Sequence, residues 1–290
     1  MKGIILAAGK GTRMYPMTLP VCKPLLPVYD KPLIYYPLAV LMQAGIRDIL
    51  LIVPPDEMYS FIKLLGDGAN FGVNLTYRIQ YEQRGIADAF LIGRSFIGED
   101  HVCLVLGDNI LCGDGLNQAL HTAAAQNTGA TIFGYHVDDP RPFGVVEIDS
   151  DGRARSIEEK PAQPKSHYAV PGVYFYDSSV VDVARGIQPS ARGELEITAV
   201  NAQYLREGLL RVVKLEQPFV WLDAGNAKSL LTAANTVMRL QKQEGRLIGC
   251  LEEIAWRMGY IDDETLARCA SKLKNTAYGA YIQGLCETGK

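Results

Sequence analysis

Short apolar runs rich in β-branched residues alternate along the chain with stretches whose apolar residues recur at helical spacing. Runs of the first kind predict strands at residues 2–7, 48–53, 102–106 and 130–137. The stretches between them predict helices at residues 32–44, 56–65, 86–94 and 115–126. Strands that alternate with helices are typical of a parallel sheet covered by helices on both faces. We therefore predict an α/β fold with a Rossmann-like, mixed and mostly parallel sheet flanked by helices.

The pattern changes near residue 144. Residues 144–149 and 169–177 look like strands that pair antiparallel around short turns. After residue 226 the apolar spacing predicts helices only, and Asp262 is the expected N-cap of one of them. These helices are expected at residues 227–243, 250–258, 262–273 and 276–286. A β-rich region followed by a C-terminal helical appendage is the predicted organisation of the second half.

Composition narrows the class of protein. With 290 residues, 48% of them hydrophobic, the chain can bury a substantial core. A formal net charge of -3 gives no general attraction to nucleic acid or to an anionic membrane, so neither is an expected partner and a polyphosphate ligand would need local groups. We expect no signal peptide and no bilayer-spanning segment. The six cysteines form no CxxC pair and the four histidines show no metal-ligand spacing, which indicates a reducing cytoplasm and no zinc site.

A glycine-rich loop follows the first predicted strand. It contains Gly9, Gly11, Thr12 and Arg13, and Lys23 comes shortly after it. Glycines allow tight turns and a close backbone approach to a phosphate, and the two cations can neutralise its charge. An ordinary turn is one alternative. A dinucleotide-binding enzyme that transfers hydride is another, but Met14 stands where that fingerprint needs its third glycine.

Two aspartates are candidates for a metal site. Asp108 lies in the segment LGDN, directly after an apolar strand, where the carboxyl edge of an open parallel sheet usually binds ligands. A distant residue, Asp223 in WLDAG, could add a second carboxylate, since Mg²⁺ usually takes one or two carboxylates together with phosphates and waters. The alternative is that each aspartate only caps the end of a strand.

These motifs resemble the sugar-phosphate nucleotidyltransferase family, because GxGTRxxPxT is followed by KPLLPV at residues 23–28. The similarity covers nearly the whole chain and is greatest to the short-form glucose-1-phosphate thymidylyltransferases. The segments that carry it are LLGDGANFG (64–72), GIADAFLIG (85–93), LVLGDNI (104–110), FGVVEID (143–149), EEKP (158–161), GVYFYD (172–177), RGELEIT (192–198), WLDAG (221–225) and EEIAWRMGYID near the C-terminus.

The resemblance implies a Mg²⁺-dependent transfer of a thymidylyl group from dTTP to glucose 1-phosphate, as a first step toward dTDP-deoxysugars such as dTDP-rhamnose. It implies a catalytic domain over residues 1–226, with a nucleotide-binding part at about 1–140 and a sugar-binding part at about 141–226, and a helical region over 227–290. It also implies a homotetramer. UTP is the second choice of nucleotide. A regulatory relative without chemistry is opposed by the presence of Arg13, Asp108, Lys160 and Asp223.

The residue roles that the resemblance implies fall into four groups. The catalytic group is Arg13, Lys23, Asp108 and Lys160. The metal ligands are Asp108 and Asp223. The nucleotide is expected at Leu6, Ala8, Gly9, Gly11, Thr12, Arg13, Lys23, Gln80, Gly85 and Asp108. Within this group, the resemblance implies that the Gln80 side-chain amide and the Gly85 backbone read the pyrimidine edge of the base. The sugar phosphate is expected at Asn109, Gly144, Glu159, Lys160, Val170 and Tyr174.

Overall fold

A computed structural model describes residues 1–216 and 218–289 of the chain. The strands in these residues are Lys2–Leu6 (β1), Pro27–Val28 (β2), Lys31–Pro32 (β3), Asp48–Val53 (β4), Asn74–Ile79 (β5), Val102–Leu106 (β6), Asn109–Cys112 (β7), Ala130–His136 (β8), Gly144–Ile148 (β9), Ala154–Glu159 (β10), Tyr168–Ala169 (β11), Val173–Tyr176 (β12), Leu210–Leu215 (β13) and Val220–Asp223 (β14). The α-helices are Tyr35–Gln43 (α1), Met58–Leu65 (α2), Asp88–Ile92 (α3), Arg94–Ile97 (α4), Leu116–Ala125 (α5), Val180–Gly186 (α6), Ile197–Arg206 (α7), Ala227–Glu244 (α8), Leu251–Arg257 (α9), Asp263–Lys272 (α10) and Ala277–Thr288 (α11).

One large mixed sheet organises the molecule, with strand order β10-β9-β11-β8-β12-β6-β1-β4-β5 and β13 paired to β8. The strands β6, β1, β4 and β5 are parallel to one another. The strands β12, β8, β11, β9 and β10 pair antiparallel. The predicted α/β fold is therefore confirmed, with its parallel part at one end of the sheet and its antiparallel part at the other.

Both faces of the sheet are buried. Successive side chains of a strand point to opposite faces, so two neighbouring buried residues report on the two faces. On β1, for example, Ile4 and Ile5 are fully buried but belong to different core clusters. The first cluster, around Ile4, includes residues of α3, α6 and α7. The second, around Ile5, includes residues of α1, α2, α5 and α9. Continuous apolar runs such as IIL and LLIV are what a strand covered on both faces requires.

The predicted strands at 2–7, 48–53, 102–106 and 130–137 are confirmed, with ends within one residue. The helices predicted at 32–44 and 86–94 differ in detail from those observed. Helix α1 begins at Tyr35 because Lys31 and Pro32 pair with β2 in a two-stranded ribbon. The helix predicted over 86–94 is short and is followed by a separate turn of helix, α4, with Gly93 between them. Strands β5, β7, β13 and β14 were not predicted.

From Ala227 to Thr288 the chain forms four helices, as predicted. Helix α8 starts with a capping box between Asn226 and Ser229. The predicted N-cap Asp262 accepts a hydrogen bond from the Thr265 amide at 2.8 Å. These helices pack on the sheet domain, where the Tyr260 hydroxyl donates to the Met42 carbonyl at 3.1 Å. Within the described ranges, none of the helices is long and apolar enough to cross a membrane.

Candidate active site

The glycine-rich loop lies at the carboxyl end of β1. Gly11 has a left-handed backbone, with φ 64°, which glycine adopts without strain. The Thr18 hydroxyl donates to the Gly11 carbonyl at 2.7 Å. A Cβ on Gly11 would lie 3.3 Å from the Cβ of Lys23. The loop therefore folds back on itself and brings Lys23 beside its own glycines.

Asp108 lies next to this loop because β6 runs parallel to β1. The Gly107 amide donates to the Leu6 carbonyl at 2.9 Å. A Cβ on Gly107 would lie only 3.0 Å from the Ala7 Cα, so a glycine allows this close approach. Asp108 follows directly and forms an ion pair with Lys23, whose side chain is 10% exposed. Two predicted catalytic residues, far apart in sequence, are thus in direct contact.

The second predicted metal ligand joins them through a small ribbon. Strand β14 pairs antiparallel with β7, so that Asp223 lies opposite Asn109. The Ala224 amide also donates to the Asp108 carbonyl at 3.2 Å. Burial, and after it the charge of Asp108, raises the pKa of Asp223 to about 6, although Lys23 and Arg13 oppose the shift. Asp108, Asp223, Lys23 and Arg13 therefore form one electrostatic group.

These two carboxylates fit a divalent cation. Like charges held close together in a partly desolvated place repel one another, and a bound cation relieves that repulsion. In the described part of the chain no third carboxylate, histidine or cysteine completes a metal cluster with them. Two carboxylate ligands with the remaining positions left to phosphates and water match the preference of Mg²⁺ better than that of a fully protein-enclosed metal.

Asn109 holds Asp108 in place. Its Nδ2 donates to the Asp108 carboxylate at 2.9 Å. Its Oδ1 accepts from the Gly172 amide at 3.0 Å and from the Trp221 indole at 2.6 Å. The side chain thus connects β7 to β14 and to the segment before β12. Its expected contact with the sugar phosphate stays a prediction.

The residues predicted to bind the base lie on the loop after β5. The backbone N–H of Gln80 continues the strand pairing by donating to the Val53 carbonyl at 3.0 Å. Gly85 has a φ of +106°, and a Cβ there would lie 2.5 Å from the Leu195 backbone nitrogen, so no larger residue fits. The Gln83 side chain donates to the Ala8 carbonyl at 3.0 Å. This bond connects the loop from Gln80 to Gly85, called the base-side loop below, to the start of the glycine-rich loop.

The residues predicted to bind the sugar lie on the antiparallel part of the sheet. Glu159 pairs with Gly144 across the β9–β10 hairpin. The Val170 amide donates to the Gly144 carbonyl at 2.9 Å. Lys160, which follows, has a φ of 43°, an unusual conformation for a residue with a side chain. Its Nζ lies 3.6 Å from Glu159 Oε1.

Buried Tyr174 lies between the two halves of the site. Burial raises the pKa of its hydroxyl, and the charges of Glu159 and Asp108 raise it further. Both carboxylates therefore act on the same phenol. Tyr174 therefore lies within electrostatic range of both the sugar-side hairpin and the metal-side aspartate.

Two further residues contact the predicted sugar site and were not predicted. The Thr198 hydroxyl donates to Glu159 Oε2 at 2.5 Å. The Arg192 guanidinium lies 3.4 Å from Glu159 Oε1 and 2.8 Å from Glu196. Both belong to the segment RGELEIT, whose polar residues carry no periodic signal. A chain-wide resemblance was the only clue to this segment, since the contacts depend on how α7 packs on the hairpin.

Comparison with known proteins places this chain in a defined family. The model of the family described as nucleotidyl transferase matches residues 2–239. The chain belongs to that family. Within it, the chain is similar over nearly its whole length to glucose-1-phosphate thymidylyltransferases, as the sequence motifs predicted. The protein of that name from Neisseria meningitidis is 55% identical over 97% of this chain and 98% of its own length. The one from Mycolicibacterium smegmatis is 54% identical over 99% of each chain.

Solved structures agree with this assignment. A Bacillus anthracis protein described as a glucose-1-phosphate thymidylyltransferase, in complex with sucrose, superposes with a TM-score of 0.76. It is 43% identical and covers 81% of this chain, which in turn covers 94% of it. A UDP-glucose pyrophosphorylase with bound UDP-glucose has a TM-score of 0.71 and 23% identity, covering 82% of this chain and 98% of its own, and supports the fold alone.

Proposed function

We propose that this protein transfers a thymidylyl group from dTTP to glucose 1-phosphate and releases pyrophosphate and dTDP-glucose. The observation that carries the proposal is the contact of Lys23 with Asp108, beside Asp223 and the glycine-rich loop. This cluster offers cations and a pair of carboxylates at one edge of a parallel sheet, where a triphosphate can be bound. The full-length similarity to thymidylyltransferases supports the choice of nucleotide and sugar.

The reaction needs no covalent intermediate. An ionised phosphate oxygen of the sugar phosphate attacks the α-phosphorus in line and the pyrophosphate leaves on the opposite side. No general base is needed, because the attacking oxygen already carries its charge at neutral pH. The main obstacle is that two polyanions must meet, so catalysis depends on alignment and on the neutralisation of charge.

Each cation of the cleft has a proposed part in that neutralisation. Arg13, exposed on the glycine-rich loop, stabilises the α-phosphate and the departing pyrophosphate. Lys23 holds the nucleotide after exchanging its contact with Asp108 for phosphate oxygens. Lys160 holds the attacking phosphate, while Glu159 accepts hydrogen bonds from sugar hydroxyls. Arg192 lies close enough to Glu159 to add a further positive charge on the sugar side.

We propose Mg²⁺ as the divalent cation, held by Asp108 and Asp223. When bound, it would neutralise phosphate oxygens and favour the departure of pyrophosphate. The raised pKa of Asp223 supports this assignment because it reflects burial of this carboxylate and, after that, the nearby charge of Asp108. The ion pair between Lys23 and Asp108 supplies part of that charge in the free protein.

Four further proposals concern the whole molecule. Residues 1–226 would form the catalytic domain, with the nucleotide at about 1–140 and the sugar at about 141–226, and residues 227–290 would be its helical appendage. The resemblance implies a homotetramer, and the apolar side chains Leu231 and Met238, which are 63% and 43% exposed on α8, are compatible with self-association. The free cysteines support a reducing cytoplasm, and dTDP-deoxysugar synthesis would use the product.

The proposal is tested by pyrophosphate release. Purified protein with Mg²⁺ is offered dTTP, UTP, ATP, CTP or GTP, each with and without glucose 1-phosphate. We expect release that requires the sugar phosphate and is fastest with dTTP. A preference for UTP would keep the reaction and change the nucleotide. A folded protein that releases no pyrophosphate from any of them would contradict the proposal.

A further inference from the structure

The buried carboxylate of Asp88 has no part in the chemistry described above, yet it lies directly behind the base-side loop. It is the first residue of α3, and its side chain is 2% exposed. Its Oδ1 accepts from the Arg84 guanidinium at 2.7 Å. Its Oδ2 accepts from the Gln80 side-chain amide at 2.9 Å. A buried carboxylate needs such donors, and these two supply them.

This contact decides which way the Gln80 amide faces. An ionised carboxylate can only accept hydrogen bonds, so the Gln80 group that meets it must be the NH₂ group rather than the carbonyl oxygen. Rotating the amide by half a turn would place two acceptors against each other. The carboxylate, which is paired with Arg84, therefore directs the Gln80 carbonyl oxygen away from α3.

The carbonyl oxygen is left without a donor. In the described part of the chain, no N–H or O–H group forms a hydrogen bond with Gln80 Oε1. This oxygen is not fully buried, so solvent can reach it. The residue itself is held firmly, because it is 6% exposed and its backbone pairs with Val53. The Oε1 atom of Gln80 is thus a fixed hydrogen-bond acceptor without a donor. It lies on the loop whose Gln83 side chain is hydrogen-bonded to Ala8.

A fixed acceptor distinguishes pyrimidine bases. Thymine and uracil carry a hydrogen on ring nitrogen N3, whereas N3 of cytosine is an acceptor. We propose that Asp88 is a positioning residue that orients the Gln80 amide, so that the site accepts nucleotides with an N3–H group and rejects cytosine nucleotides. The proposal rests on the proposed function, in which Gln80 lies at the base.

The experiment compares three deoxynucleotides with the wild type and with Asp88→Asn and Asp88→Ala. Dissociation constants of dTTP, dUTP and dCTP are measured by calorimetry with Mg²⁺ and without sugar phosphate, and kcat/KM is measured with glucose 1-phosphate. Asparagine keeps the size of Asp88 but can face either orientation of the Gln80 amide. Glu82→Gln is the matched control, because it removes an exposed carboxylate from the same loop.

We expect the preference for dTTP over dCTP to fall about 10- to 100-fold in the Asp88 variants, the scale of one mismatched hydrogen bond. The dTTP to dUTP ratio should stay unchanged, since both bases carry N3–H and differ only by a methyl group. Glu82→Gln should keep both ratios. A purely structural role for Asp88 would weaken all three nucleotides equally.

A folded Asp88→Asn protein whose dTTP to dCTP ratio stays within about threefold of the wild type would overturn the proposal. Equal weakening of all three nucleotides would overturn it as well. Failure of the proposed function has a different signature, because the wild type would then release no pyrophosphate from dTTP and glucose 1-phosphate. The calorimetric ratios need no turnover and would still decide the role of Asp88.

Discussion

Two pairs of partly buried carboxylates in the described chain differ in the hydrogen-bond donors and cations that surround them. In the cleft, Asp108 is paired with Lys23, while no described side chain donates a hydrogen bond to Asp223. Where α9 meets α11, Glu252 accepts from the Tyr278 hydroxyl at 2.6 Å and Glu253 from the Tyr281 hydroxyl at 2.7 Å.

The difference separates a binding site from a structural contact. Acids that have internal donors join two elements and have no need of a ligand. Carboxylates that repel each other without enough internal donors favour the binding of a cation, and that cation can in turn bind phosphates. Removing a cleft acid should therefore affect turnover, whereas removing a donor from the helix contact should affect stability.

The largest effect is expected from Asp108→Ala. We predict that it lowers kcat by about 100- to 1000-fold, the scale for losing one preorganised charge contact, and leaves the protein folded. Pyrophosphate release and circular dichroism provide the two measurements. Asp182→Ala removes a carboxylate that is 78% exposed on α6 and should keep full activity. Near-normal turnover of the Asp108 variant would remove this residue from the site.

Asp223→Asn should separate function from stability within the cleft. We predict about a 100-fold loss of kcat together with a higher melting temperature of the metal-free protein, since one of two repelling charges is removed. Calorimetric scans with and without Mg²⁺ measure the second effect, and the stabilisation by Mg²⁺ should shrink in the variant. A lower melting temperature without metal would show that Asp223 stabilises the fold.

Tyr278→Phe should have the opposite pattern. It removes the donor of a buried carboxylate, Glu252, which is 4% exposed, so we predict a loss of about 1–3 kcal/mol in the free energy of unfolding. Turnover per folded molecule should not change. Denaturant titration measures the first quantity and initial rates the second. Unchanged stability would mean that Glu252 is satisfied by other groups.

The smallest effect concerns pH. Burial raises the pKa of Glu252 above its ordinary value of 4.5, more than the Tyr278 bond and Lys31 lower it. The folded protein therefore holds this proton more tightly than the unfolded chain, and its stability falls as pH rises from 4.5 through the raised pKa. The Glu252→Gln variant has no carboxyl group that binds this proton, so it lacks this pH-dependent contribution to stability. Its melting temperature relative to the wild type should rise over that range, and a constant difference would contradict the prediction.

Much of the fold follows from local patterns. The strands β1, β4, β6 and β8 and most helices were predicted because their apolar residues recur at the strand or helix period within a single stretch. Of the missed strands, β5, β13 and β14 have partly exposed residues, and β7 is buried but short. They depend on distant partners. Strand β13, for example, pairs in parallel with β8. No local signal reports such a partner.

The glycine-rich loop, Asp108 and Lys23 were recognisable from the chain, since each stands at a fixed distance from an apolar strand and carries chemistry that phosphates require. The pairing of Asp223 with Asp108 was predicted mainly through the family resemblance, whereas the approach of Arg192 and Thr198 to Glu159 and the orientation of the Gln80 side-chain amide were not predicted. These depend on how separate segments pack together in space. Residue types and local spacing thus indicate which chemistry is present, and packing decides which groups meet and in what orientation, because hydrogen bonds and ion pairs act only over a few ångströms.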